Sequence, residues 1–109
     1  MKIQLAEPIN TYFEINNGAD TTLVNRYFTE NATVKDEGNS YQGLAAIEAW
    51  IINAHKTFQF TSTPLSTSKQ GDQDIVLAEV SGNFPGSPIQ LHYAFVLNNG
   101  KIHALEIFK

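Results

Sequence analysis

The sequence predicts an α+β domain with helices first and an antiparallel sheet after them. Three observations predict it. Up to about residue 57 the apolar residues recur with helical spacing, and beyond it they alternate with period two. Turn signals separate the alternating segments: Gly71-Asp72, Pro85-Gly86-Ser87-Pro88 and Asn98-Asn99-Gly100. A length of 109 residues suits one domain, 1–109, and a hydrophobic share of 42% supplies a real core.

The first helix is expected over roughly Leu5 to Asn16. Leu5, Ile9, Tyr12 and Phe13 fall at i, i+4, i+7 and i+8 and share one face. Pro8 must lie in the first turn, so the regular helix starts at Glu7, and Asn16-Asn17-Gly18 stops it. Asp20 caps a second helix whose buried stripe is Leu23, Val24, Tyr27 and Phe28. Asn31 to Glu37 reads as a short strand that ends at Gly38-Asn39. Gly43 opens a third helix, with Ile47, Trp50, Ile51 and Ala54 as its apolar seam. Four strands follow. The first runs from about Thr57 to Ser68 with a bend near Pro64, and the second from Asp74 to Phe84. The last two, Ile89 to Leu97 and Lys101 to Phe108, form a hairpin around Asn98-Asn99-Gly100. Helices followed by such a sheet pack against one of its faces.

Composition narrows the function. The net charge is −4, Arg26 is the one arginine, and the six lysines are scattered. Nucleic acid is therefore not an expected partner, because phosphate binding needs a clustered basic surface. Cysteine chemistry is excluded by the absence of cysteine. No stretch is long and apolar enough to span a membrane, and the N-terminus has no signal-peptide pattern, so a cytoplasmic protein is expected. Three histidines, His55, His92 and His103, lack any His-x-His or His-Glu-x-x-His spacing, so no metal is expected. Nor does a glycine-rich phosphate loop suggest a cofactor.

The order and spacing of the elements resemble those of the ketosteroid isomerase, SnoaL-like polyketide cyclase and nuclear transport factor 2 group. Four stretches carry the resemblance: Tyr27-Phe28-Thr29-Glu30-Asn31-Ala32-Thr33-Val34-Lys35-Asp36; Gly43 with Ile47 and Trp50; Gly82-Asn83-Phe84-Pro85-Gly86-Ser87-Pro88; and Asn99-Gly100-Lys101-Ile102. Together they span nearly the whole chain. The resemblance implies a cone-shaped fold, three N-terminal helices on a curved, mainly antiparallel sheet. It does not imply one reaction, since the scaffold hosts isomerases, cyclases, dehydratases, hydrolases and non-catalytic binders.

Asp36 is the first candidate for chemistry. On a strand it shares a face with Ala32 and Val34, so a carboxylate aligns with the apolar side. Desolvation there suits a general base, and the resemblance places the isomerase's proton-shuttling aspartate here. The alternative is a strand-end aspartate bonded to turn amides beside Gly38. Tyr12 precedes Asp36 by the spacing of the isomerase's oxyanion tyrosine, which implies a phenol aimed at a substrate carbonyl; its helix stripe equally suits core packing. The isomerase's further acid is missing. On the strand from Ile89 to Leu97, Tyr93 shares the apolar face of Leu91, Phe95 and Leu97, and His92 turns inward only with a one-residue change of register. Authentic ketosteroid isomerisation is therefore not expected.

Phe13, Phe28, Trp50 and Phe58, with Phe60 and Phe84, are candidates for the wall of an apolar ligand site, with Trp50 at its mouth; for most of them the other reading is core packing. His103 shares a nominal face with Leu105 and Ile107, and a histidine beside Asp36 would suit a dehydratase; core or interface placement is the other reading of His92 and His103. The single Arg26, beside a helix stripe, disfavours the limonene epoxide hydrolase arrangement. The resulting expectation is a small apolar carbonyl compound bound in the cone and cofactor-free proton transfer by Asp36, with Tyr12 and Tyr93 polarising the oxygen. The alternatives are a non-catalytic ligand-binding or dimeric module and a dehydratase-like lyase. The strand around Val76, Ala78 and Val80 is also apolar at Ile75 and Leu77, so a homodimer through the sheet is expected.

Overall fold

A computed structural model of the chain describes residues 5–16, 24–36, 38–57 and 59–108. The elements run α1 (Glu7–Asn16), α2 (Val24–Tyr27), β1 (Phe28–Asp36), β2 (Asn39–Gln42), α3 (Leu44–Thr57), β3 (Phe60–Gln70), β4 (Gln73–Gly82), β5 (Ile89–Asn98) and β6 (Lys101–Phe108). The strands form one six-stranded sheet in the order β2-β1-β6-β5-β4-β3. The β1–β6 pair is parallel, and every other neighbouring pair is antiparallel.

Local chemistry accounts for most of these boundaries. Pro8 is the second residue of α1, where its missing N–H has no intrahelical role. Asn99 and Gly100 both take positive φ, 53° and 78°, the conformation that a two-residue hairpin turn between twisted strands requires. Near Pro64 the β3–β4 register shifts: Pro64 faces Ala78 and Ser66 faces Leu77, which leaves Leu65 as the extra, exposed residue. This is the expected bend, made as a bulge where proline cannot donate.

Two expectations change. Phe28 leaves the stripe of the second helix, whose described part is Val24–Tyr27, to begin β1 opposite Ile102. Both arrangements bury Phe28, so helical spacing alone cannot separate them. The first strand starts three residues earlier than expected, and β2 pairs with it from Asn39 onward. Asp20, Leu23 and Gly18 lie outside the described residues.

The helices cover one face of the sheet. Ile9, Tyr12 and Phe13 from α1 and Ile47 and Ile51 from α3 are buried against Val34, Val76, Ala78, Tyr93, Phe95, Ile102 and Leu105. Along β4 the alternation is visible in burial: Val76, Ala78 and Val80 are buried, whereas Ile75, Leu77 and Glu79 are half-buried on the other face. Apolar burial of this kind stabilises by roughly 1.5–3 kcal/mol per large side chain relative to exposure.

Candidate functional site

A cavity of about 640 Å³ opens between α1, α3 and the concave side of the sheet, near the ends of β1 and β6. Asp36, Tyr12 and Trp50 line it, with Phe60, Phe84 and Phe108 among the apolar walls. Asp36 is the one charged side chain among the described lining residues.

Strand parity brings Asp36 there. Ala32 and Val34 are fully buried on the same side of β1, and Asp36 is the next residue on that side, at the strand's end. Its Oδ2 accepts a hydrogen bond from the Trp50 indole Nε1–H at 3.1 Å. Trp50 projects from α3, and its ring leans on Tyr41 of β2, centroid to centroid 5.9 Å and 30° from parallel. Tyr12 reaches the cavity from α1, flanked by Phe95 at 5.6 Å and Tyr93 at 6.1 Å.

Tyr93 turns inward, as the alternation of β5 predicts, but it sits behind the lining. Its hydroxyl shares a hydrogen bond with the buried Ser62 side chain of β3. Burial pushes its phenol above the ordinary value of 10.0; the Ser62 bond pulls the other way, and the negative charge of Asp36 pushes it further up. Tyr93 is thus a neutral phenol near neutral pH, held one layer from the cavity. Ser62 carried no signal in the sequence. It lies in a run of serines and threonines, and only its pairing opposite Val80 buries it.

The other expected ligand-site residues divide. Phe13 packs edge-on against Tyr93 at 5.1 Å, and Phe28 lies against Tyr27 at 4.8 Å; both are core residues and neither lines the cavity. Phe58 lies outside the described residues. His92 does not line the cavity: it pairs with Leu77, stacks on Phe108 at 5.3 Å, and its buried Nδ1 has no partner among the described residues. His103 is exposed and shares a 3.0 Å hydrogen bond with Thr29 Oγ1. The expected face of His103 fails because β6 bulges there: Ile102 faces Leu97 and Ala104 faces Val96, so His103 is the extra residue. Neither His92 nor His103 lines the cavity, and the His55 side chain lies outside what is described, so nothing here favours the dehydratase reading. Arg26 is exposed on α2. The buried Tyr27 hydroxyl has no partner among the described residues, and burial raises its phenol far above the usual range, with Glu48 adding to the shift.

Comparison with family models finds the SnoaL-like domain over residues 9–104. The chain belongs to the SnoaL-like family. Among solved structures, this SnoaL-like protein is similar to a candidate polyketide cyclase from Sinorhizobium meliloti, at 40% identity, TM-score 0.89 and 94% coverage of each chain. It is also similar to an epoxide hydrolase/cyclase-like enzyme, SalBIII, which takes part in pyran ring formation in the polyether salinomycin. That match has 26% identity and TM-score 0.78, and it covers 94% of this chain and 87% of the other. A protein of ketosteroid isomerase-like fold from Catenulispora acidiphila, in complex with trimethylamine, shares the fold at 15% identity and TM-score 0.84, with 97% of this chain and 87% of the other covered. No curated protein matches the chain. No helix among the described residues is long and apolar enough to cross a membrane.

Proposed function

We propose that this SnoaL-like protein binds a compact apolar molecule bearing a carbonyl group, and that Asp36 moves a proton at the carbon next to that carbonyl. The observation that carries the reading is that Asp36 is the one charged side chain among the described residues lining a cavity large enough for such a molecule. Asp36 takes the α-proton, and the electron pair passes to the carbonyl oxygen as an enolate. The Tyr12 hydroxyl, on the same cavity wall, donates to that oxygen. Return of the proton at another carbon completes an isomerisation; attack of the enolate carbon on a second carbonyl closes a ring, the carbonyl's π electrons pass to its oxygen, and Asp36 returns its proton to that alkoxide. No cofactor enters either sequence. The similarity to the Sinorhizobium meliloti protein supports the cyclase branch.

Thermal unfolding with a panel of phenols tests the reading, with wild type and Asp36→Asn side by side. Phenolates mimic the enolate, and a ligand that binds only the folded state raises the melting temperature, by about 2.7 kcal/mol of stability at a hundredfold excess over Kd. Asp36→Asn is expected to increase the stabilisation by phenols, because it removes a negative charge beside the bound oxyanion. No stabilisation of a cooperatively melting wild type would overturn the proposal.

A second reading, capture of a ligand without chemistry, draws support from the aromatic residues described on the wall: Tyr12, Trp50, Phe60, Phe84 and Phe108. Aromatic rings with one carboxylate suit a methylated ammonium, and the Catenulispora acidiphila protein holds trimethylamine. Adding tetramethylammonium to the panel separates the two readings. Its stabilisation would be lost in Asp36→Asn, opposite in sign to the effect on phenols.

The proposal includes a homodimer. On the outer face of the sheet, Ile75 and Leu77 are half-buried, apolar surface that a second copy would cover. Sedimentation at micromolar concentration is expected to give twice the mass of the chain, and a monomer there would end this part of the proposal.

A further inference from the structure

Trp50 is the single tryptophan of the chain, and its only N–H beyond the backbone is directed at Asp36. It stands on α3 beside Ile51, which also lines the cavity, and Ile47, which is fully buried. Its indole is braced by Tyr41 of β2. That strand is hydrogen-bonded back to β1, with Val34 opposite Tyr41 and Asp36 opposite Asn39. The contacts close a ring: β1 carries Asp36, Asp36 accepts from Trp50, Trp50 rests on Tyr41, and Tyr41 belongs to the strand paired with β1.

The physical need for such a ring is specific. The terminal torsion of an aspartate is broad, so an unsupported carboxylate turns through a wide range of orientations. Proton abstraction from carbon requires the reacting atoms about 3–3.5 Å apart and aligned. A hydrogen bond to a carboxylate is stronger than one between neutral groups, and it favours the ionised form that accepts a proton. We propose that Trp50 is a positioning residue for Asp36, braced by Tyr41: the indole N–H anchors Oδ2 and fixes the plane of the carboxylate at the cavity wall. The catalytic consequence rests on the proton-transfer reading above, whereas the anchoring itself does not.

The test reads Asp36 directly. Its carboxylate titration is followed by carbon-detected NMR, with the spectrum of Asp36→Asn providing the assignment. In Trp50→Phe, which keeps a ring but removes the donor, the Asp36 midpoint is expected to move up in pH, because the ionised form loses its hydrogen bond. Tyr41→Leu is expected to move it in the same direction and by less, since the donor stays while its brace is gone. Tyr93, the phenol that feels the charge of Asp36, is pushed up by burial and stays neutral through that range.

The lone tryptophan supplies a second readout that needs no change at position 50. Wild-type indole fluorescence is expected to titrate at the NMR midpoint of Asp36, and that transition is expected to vanish in Asp36→Asn. A folded Trp50→Phe with an unmoved Asp36 midpoint would overturn the proposal. If Trp50→Phe does not fold, identical pH profiles of fluorescence in wild type and Asp36→Asn would overturn it equally. Failure of every phenol to bind wild type would sink the proton-transfer reading and leave the midpoint shift to decide the anchoring.

Discussion

Phe95→Ala is expected to remove about 3–5 kcal/mol of stability, the usual cost of truncating a buried phenylalanine. Phe95 is fully buried on β5, where two aromatic rings of α1 reach that strand. Its ring meets Tyr12 at 5.6 Å and Phe13 at 6.1 Å from the helix, and Tyr93 at 6.4 Å along the strand. Leu105 lies opposite on β6. The truncation leaves a void between rings held by two different elements, and neither can move in without losing its other contacts. A loss of that size is a large share of the roughly 5–15 kcal/mol that holds a domain folded. Urea unfolding checks it: the midpoint falls while the slope stays the same. Phe108→Ala serves as the control, because Phe108 is 41% exposed and has far less burial to lose. Equal losses at the two positions would show that α1 does not use Phe95 as its anchor.

The fold was legible wherever one local signal decided a structure alone. Pro8 set the start of α1, Asn99-Gly100 the last hairpin, and Pro64 the bulge in β3. β2 was not legible, because Asn39–Gln42 is short and mostly exposed and carries no apolar alternation. It becomes a strand through pairing with β1, a non-local cause that a window of sequence does not contain. Likewise, the bulge that turns His103 outward leaves no mark on the Ile102-His103-Ala104 spacing. At the site, parity placed Asp36 correctly because Ala32 and Val34 precede it on the same face. Aromatic identity could not sort wall from core. Phe13 and Phe60 are alike in composition, yet one packs behind Tyr93 and the other lines the cavity. The Trp50–Asp36 bond was hidden for a related reason. The residues lie fourteen apart on a helix and a strand, and only the placement of α3 over β1 joins them.

Gly82→Ala is expected to cost at least about 1–3 kcal/mol, the range for forcing extra atoms into a packed site, and to weaken ligand binding as well. Gly82 ends β4 opposite Phe60, the first residue of β3. A Cβ at this position would overlap the Gln59 carbonyl oxygen and lie 2.7 Å from the Phe60 Cα. Both obstacles are backbone, so no side-chain rotation relieves them, and the start of β3 has to move off the edge of β4. Three hydrogen bonds hold that corner. The Gly82 N–H donates to Ser87 Oγ at 2.8 Å, the Asn83 N–H to the Gln59 carbonyl at 3.0 Å, and the Gln59 N–H to Asn83 Oδ1 at 2.9 Å. Phe60 and Phe84, one on each side of the corner, are walls of the cavity. Displacing the corner therefore acts on stability through the strained pairing and on binding through the two rings. The measurement pairs the urea midpoint with the phenol-induced rise in melting temperature, using Ser81→Ala as an exposed neighbour on the same strand. A lower midpoint together with a smaller phenol effect is expected. An unchanged phenol effect in a destabilised Gly82→Ala would mean that Phe60 and Phe84 stay in place, and that the corner serves the sheet without shaping the cavity.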